Sequence, residues 1–132
     1  DQINRDYQKA LMTSVVLDHI DEDGFPHPDC QYIVIRSDDN TSLICDMIRE
    51  AINKKEIYIR YNIKYIVNVS FKYGSINFRR VLKDIDCARI ARMYGGGGHE
   101  YAAGCILDGK NRLQLERILM PTLEKYGEPI KK

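Results

Sequence analysis

Residues 57–79 read IYIRYNIKYIVNVSFKYGSINFR, and this stretch decides the fold. Every odd position from Ile57 to Tyr73 is Ile, Tyr, Val or Phe, while the even ones include Arg60, Asn62, Lys64, Asn68, Ser70 and Lys72. A period of two is the signature of a strand with one buried face. The run exceeds the usual strand length, so a break is expected near Tyr61 or Asn62. Gly74-Ser75 predicts a two-residue turn of the type that opens with Gly. Ile76 and Phe78 then continue the apolar alternation against Asn77 and Arg79, which completes a β-hairpin.

Upstream, Gln31 to Ser37 is a short β-branched apolar run, as expected for a buried strand. Asp38 to Thr41 supplies N-cap chemistry, and Leu43, Ile44, Met47, Ile48, Ala51 and Ile52 recur at helical spacing, which predicts a helix over about 41–53. Further back, Tyr7, Ala10, Leu11, Ser14, Val15 and Asp18 suggest an amphipathic helix over 3–19, weakened by the β-branched run Thr13 to Val16. The cluster Asp21 to Pro26 reads as a loop. Downstream, Asp86 caps a short helix marked by Cys87, Ile90, Ala91 and Tyr94 and stopped at Gly95. Ala102 to Leu107 reads as a strand of small and apolar residues. A last helix is expected over about 112–126, with Pro121 kinking it and Gly127 ending it. The order is α/β, a small mixed sheet with a hairpin flanked by helices.

At 132 residues and 15.3 kDa the chain has a one-domain length. Its net charge of +1 averages two unlike parts. Residues 1–30 hold two basic and seven acidic side chains, whereas residues 31–132 hold 18 and 12. The chain begins with Asp1, which makes it read as a fragment. Cys30, Cys45, Cys87 and Cys105 form no CxxC pair, so neither a zinc nor a redox spacing is present, and reduced buried thiols in a cytoplasmic protein are expected. No apolar run approaches the roughly 20 residues needed to cross a bilayer.

Residues 95–98 are all glycine and are followed by His99. Four glycines cost backbone entropy, and one use for them is to let a ligand approach successive N–H groups; a plain flexible turn is the other. A phosphate loop or dinucleotide fingerprint would place glycines before a helix, whereas these follow one. Residues 71–99 carry Lys72, Arg79, Arg80, Lys83, Arg89 and Arg92 against Asp84 and Asp86. Lys83 and Arg92 read as solvated. Arg79 shares a strand face with Asn77, where a guanidinium can fork onto a phosphate or stack on a base.

Gly-Gly-Gly-Gly-His-Glu-Tyr-Ala-Ala-Gly at 95–104 resembles the signature of the DHH-associated C-terminal domain of DHH-family phosphoesterases: Gly-Gly-Gly-His, two variable residues, then Ala-Ala-Gly. Ile76-Asn77-Phe78-Arg79-Arg80 resembles that family's Val-Ser-Leu-Arg-Ser strand, with Arg80 where Ser is usual. Asp86 to Tyr94 is similar to its Val-Ser-Glu-Ile-Ala-Lys-Lys-Phe helix. The resemblance implies that residues 31–132 are a substrate-binding domain and that residues 1–30 are a linker helix and acidic loop from a missing N-terminal catalytic domain. That domain would bind divalent metal, commonly manganese, which generates the attacking hydroxide. Gly96, Gly97, Gly98 and His99 would then cradle a phosphate, with Arg79 as clamp and Asn77 and Arg80 as weaker neighbours. No catalytic residue and no metal ligand is assigned to this chain. The implied partners are a nucleotide or short oligonucleotide, the catalytic domain of the same polypeptide, and a second copy in a homodimer, with no membrane. The implied activities are oligoribonuclease, exonuclease, phosphoadenosine-phosphate phosphatase or cyclic-dinucleotide phosphodiesterase. The alternative is a non-catalytic module for single-stranded nucleic acid or tRNA, since a related domain serves alanyl-tRNA synthetases. A third reading is an interaction domain.

His19-Ile20-Asp21-Glu22-Asp23-Gly24 also resembles the family's His-x-Asp-x-Asp-Gly metal motif. Its side chains suit manganese. Only His27 and His99 remain as further imidazoles, however, and Pro26 and Pro28 follow where a helix would start, so an acidic loop is expected there.

Overall fold

The computed structural model describes residues 1–107. The helix expected over about 112–126 lies outside the described residues. The period-two stretch forms β3 (Ile63–Ser70) and β4 (Ser75–Arg80), an antiparallel pair. The break falls at Asn62 as expected, but no strand precedes it. Lys55 and Tyr58 adopt φ of 58° and 51°, a left-handed conformation incompatible with extended backbone. Ile57 and Tyr58 fold in against the helices, while Ile59 and Tyr61 stay exposed. The turn also differs from expectation. Ser70 pairs with Ser75, so the loop is Phe71–Gly74 rather than Gly74-Ser75. Asp38 fixes this longer loop, accepting hydrogen bonds from Ser70 Oγ at 2.8 Å and the Lys72 amide at 3.2 Å.

The N-terminal part is sheet as well as helix. α1 (Gln2–Met12) starts on an Asp1 cap and ends where the β-branched run begins, and Val15–Ile20 forms β1 instead of continuing the helix. β2 (Pro26–Arg36) pairs antiparallel with β1, so the division expected at residue 30 falls inside a strand. Pro26 and Pro28 are tolerated because the parallel partner β3 joins only from Gln31 onward, leaving the proline-bearing end an edge where a missing N–H costs nothing. α2 (Thr41–Asn53) matches the predicted helix and connects the parallel pair β2–β3. Its N-cap is Asn40 at φ 56° with no side-chain cap bond.

α3 (Cys87–Arg92) is capped by Asp86, whose side chain accepts from the Arg89 amide. β5 (Gly97–Gly98) and β6 (Ala102–Ile106) then complete a six-stranded mixed sheet in the order β1-β2-β3-β4-β6-β5. Alternation divides the side chains between two cores. Tyr32, Val34, Tyr65, Val67, Val69, Ile76, Phe78 and Cys105 pack with Cys87, Ile90, Ala91 and Tyr94 of the α3 segment. Ile33, Ile35, Ile63, Ile66 and Val81 pack with Ile44, Cys45 and Ile48 of α2 and Ala10 of α1. Tyr32 stacks on Tyr65 at 4.8 Å, and Phe78 on Tyr94 at 6.0 Å. The four cysteines are free thiols, three of them buried, and burial pushes Cys45 up to about 12 and Cys87 to about 11. Among the described residues no helix is long and apolar enough to cross a membrane.

Phe78 is fully buried between β4 and Tyr94. Phe78→Ala is therefore expected to cost about 3–5 kcal/mol, read as a lowered midpoint in chemical denaturation.

Candidate functional site

β4 alternates Ile76 and Phe78 into the α3 core, so Asn77 and Arg79 emerge on the α2 side of the sheet. The register extends this into two cross-strand rows. Asn68, Asn77, Gly104 and Gly97 form one; Ile66, Arg79, Ala102 and His99 form the other. Cross-strand partners project to the same side, which places Arg79 and His99 two strand spacings apart, about 10 Å. Only Ala102 stands between them. The result is a shallow trough walled by a guanidinium and an imidazole and floored by Ala102, Gly104 and Gly97. No carboxylate lies in either row.

Arg79 donates to Ser42 Oγ at 2.7 Å, near the start of α2. A neutral hydroxyl leaves the guanidinium charge intact, and its remaining N–H groups are available. His99 is exposed and stacks on Tyr101 with ring centroids 5.4 Å apart and planes 5° from parallel. Arg80 does not join them. Its odd-even position sends it to the α3 side, where Nη1 donates to the Lys83 carbonyl at 3.4 Å.

The glycine run is built into the sheet. An added Cβ at Gly96 would stand 2.1 Å from the Gly104 carbonyl oxygen and 2.7 Å from Cys105 Cβ. At Gly98, φ is +144° and a Cβ would meet Ala103 Cα at 2.6 Å. Gly97 faces open space. The expected cradle of three amides is correspondingly narrowed. The Gly96 amide donates to Ala91 O at 2.9 Å, and the His99 amide to Ala102 O at 2.8 Å. Gly97 pairs with Gly104. His99 and Ala102 exchange both backbone bonds, so alternation turns the Gly98 amide away from β6 and from the trough.

A cavity of about 340 Å³ lies on the opposite, α3 side, lined by His19, Asp21, Glu22, Asp23, Asp84, Asp86 and Arg89 over Tyr65, Ile85, Ile90, Cys30 and Met93. Five carboxylates against one arginine make it hostile to a phosphate. The metal-like motif sits here and does not fit a metal. His19 Nδ1 is hydrogen-bonded to the Tyr65 hydroxyl at 2.8 Å. Asp21 accepts from the Asp23 and Phe25 amides, both at 2.9 Å, and lies 2.7 Å from His27 Nε2. These bonds organise the β1–β2 hairpin tip. Among the described residues no group of three His, Cys, Asp or Glu is placed to hold a metal ion.

Ser42 and Asn68 were not singled out in the sequence, yet Ser42 holds the Arg79 guanidinium and Asn68 lies in the row of Asn77; Ala102 belongs to the quoted Ala-Ala-Gly motif. Only Asn68 carried a signal. An Asn inside Ile-Val-Asn-Val is out of character for a buried strand.

No family model matches the sequence, and no curated protein matches it. Solved structures that resemble it include an uncharacterized protein from Helicobacter pylori G27, 18% identical with a TM-score of 0.48, covering 69% of this chain and 26% of that one. Another is PggH of Vibrio cholerae, a pGpG-specific phosphodiesterase, 9% identical with a TM-score of 0.47, covering 92% of this chain and 38% of that one. A third is an exopolyphosphatase-related protein from Bacteroides fragilis, 19% identical with a TM-score of 0.46, covering 94% and 34%. The chain thus spans only a minor part of the length of each.

Gly96→Ala and Gly98→Ala are each expected to lower stability by about 1–3 kcal/mol through overpacking, whereas Gly97→Ala should stay within about 0.5 kcal/mol; thermal unfolding distinguishes them. The Asp21 carboxyl is held below its ordinary value of 3.8, first by the His27 hydrogen bond and then by the Phe25 amide. A depressed carboxyl favours the folded hairpin tip above its unfolded value and loses that contribution as pH falls through the folded one. His27→Ala should raise the Asp21 pKa toward 3.8, followed by carboxyl-carbon NMR titration.

Proposed function

We propose that this chain is the substrate-binding domain of a DHH-type, metal-dependent phosphoesterase acting on nucleotides or short oligonucleotides. The observation that carries the reading is the row Arg79–Ala102–His99: a permanent cation and an imidazole stand in one cross-strand row with only the small Ala102 between them. The Gly-Gly-Gly-His-x-x-Ala-Ala-Gly resemblance supports it independently. In this reading Arg79 forks onto a non-bridging phosphate oxygen pair, and His99 donates to the same group or stacks on the adjoining base. The Gly97–Gly104 floor lets the sugar-phosphate chain approach the backbone. Arg80, pointing to the α3 side, takes no part, and Asn77 contacts the ligand beside the phosphate.

The chain's own groups bind and orient; they supply no nucleophile. Divalent metal held by a separate catalytic domain, manganese in the family, would generate the attacking hydroxide. The trough leaves one side of the phosphate open to such a domain. A cytoplasmic location and an oligoribonuclease, phosphoadenosine-phosphate phosphatase or cyclic-dinucleotide phosphodiesterase activity belong to the same proposal. The second reading, a module for single-stranded nucleic acid or tRNA, draws on the same cation and the same exposed floor.

Binding of a 5′-phosphorylated dinucleotide and of 3′-phosphoadenosine 5′-phosphate, measured by calorimetry, tests this. Arg79→Ala and His99→Ala should each weaken binding by about 1–3 kcal/mol, the range for charge-assisted bonds, and Arg80→Ala should leave it nearly unchanged. Undiminished affinity in both of the first two variants overturns the assignment. Tighter binding to long single strands than to dinucleotides, with a steep salt dependence, supports the second reading instead.

A further inference from the structure

Asn68 is fully buried, and its Oδ1 has no hydrogen-bond partner. Its Nδ2 donates to the Ser37 carbonyl at 3.0 Å, at the end of β2. That bond fixes the amide, so exchanging its oxygen and nitrogen would only place two acceptors face to face. Leaving a buried acceptor unmade costs folding free energy, and among the described residues this is the one buried side-chain polar atom without a partner, which calls for an explanation. On β4 the cross-strand neighbour is Asn77, on the same face and half-buried. The next member of the row is Gly104, and a Cβ there would stand 3.2 Å from Asn77 Oδ1. The Asn77 oxygen therefore already leans over the glycine floor, while its amide nitrogen has a vacant acceptor one strand away.

We infer that Asn68 is a positioning residue for Asn77: its unpartnered oxygen takes the Asn77 Nδ2 hydrogen when ligand binds, and thereby holds Asn77 Oδ1 toward the trough as an acceptor. The site then selects ligands that carry a hydrogen-bond donor, a hydroxyl or an amino group, beside the phosphate. This rests on the phosphate-binding reading and sharpens it. Arg79 and His99 read charge, which every phosphate ester offers equally. The Asn68–Asn77 pair reads a neutral donor, and a site built to hydrogen-bond a donor rejects the analogue that lacks it. Gly104 is part of the device, because any side chain there would press on Asn77 Oδ1 and on the Ile76 carbonyl 2.9 Å away.

The test uses the full chain and three ligands: the 5′-phosphorylated adenosine dinucleotide, its 2′-deoxy counterpart, and the counterpart with unsubstituted purine, which lacks the exocyclic amine. The wild-type chain is expected to prefer the parent over one counterpart by about tenfold, the worth of one directed hydrogen bond. Loss against the deoxy ligand identifies a sugar hydroxyl as the donor, and loss against the purine ligand identifies the base amine. Asn77→Ala and Asn68→Leu should each abolish that preference, so that the parent and its donor-free counterpart bind alike, and the double variant should lose no more than either single one. A purely structural role would instead weaken all ligands alike. If Asn68→Leu fails to fold, the Asn77 side-chain amide proton resonances of the wild-type chain decide the point: a downfield shift is expected with the parent ligand, and no shift overturns the inference. A wild-type chain that binds all three ligands equally, or variants that keep the preference, overturns the inference and leaves the phosphate assignment standing. A wild-type chain that binds none of them removes both.

Discussion

The structure depends on where Phe78 goes. It is the largest of the fully buried side chains, and its ring stacks on Tyr94 within 8° of parallel. That contact ties β4 to the α3 segment, and because strand side chains alternate strictly, it fixes everything else on β4. A slip of one residue would bury Arg79 under α3 and expose Phe78. The register that satisfies the core is thus the same register that delivers Asn77 and Arg79 to the opposite face, and the ladder hands this alignment on to Ala102, Gly104, Gly97 and His99. Packing on one side of the sheet sets the polar arrangement on the other.

The glycines serve both sides at once. Gly96 and Gly98 are required where β5 presses against Cys105 and Ala103 on the α3 side. Their lack of side chains is a packing requirement and needs no ligand to account for it. Gly97 and Gly104 lie on the other face, where Gly97 meets nothing and the pair leaves the floor flat. The run of four is therefore not a floppy turn. Among the described residues it is a helix terminus followed by a two-residue strand at the end of the sheet order, and a short edge is one of the ways a sheet avoids unwanted pairing. The backbone entropy lost in ordering it is offset by closing the sheet against α3.

Much of this was legible in the sequence, and the failures have physical causes. α2 and the Asp86 cap were readable because both are local: an apolar stripe at helical spacing, and a side chain reaching its own helix. The Arg79–Asn77 face followed from alternation alone. The alternation of Ile57, Ile59 and Tyr61 was misleading because period two reports a pattern of side chains and says nothing of the backbone hand at Lys55 and Tyr58. The hairpin loop was misplaced because Asp38, more than thirty residues away, holds it open to four residues. β1 was hidden inside a helical stripe, since Val15 and Val16 fit either element until β2 offers a partner. The amide cradle was overdrawn for the same kind of reason. Which N–H groups of a glycine run are spoken for depends on ladder partners such as Gly104 and on Ala91 O, and spacing along the chain does not contain them.

Charge sorts the two faces of the sheet into different tasks. Of the seven acidic residues among the first thirty, which as sequence looked like a linker, Asp21, Glu22 and Asp23 sit at the β1–β2 hairpin tip and line the α3-side cavity with Asp84 and Asp86. Two of them are paired, Asp21 with His27 at 2.7 Å and Glu22 with Arg89 at 3.2 Å. The α2-side trough has the reverse character, a cation whose described hydrogen-bond partner is the neutral hydroxyl of Ser42, and no acid in either row. An anion approaching the molecule is repelled from the first and drawn to the second. With these five carboxylates on the far side of a sheet lined by two apolar cores, Arg79 has no carboxylate among its described partners where the floor is open. The acidic cluster of the hairpin tip and the row that holds Arg79 thus lie on opposite faces of the sheet, and Gly97 and Gly104 form the row beside Arg79.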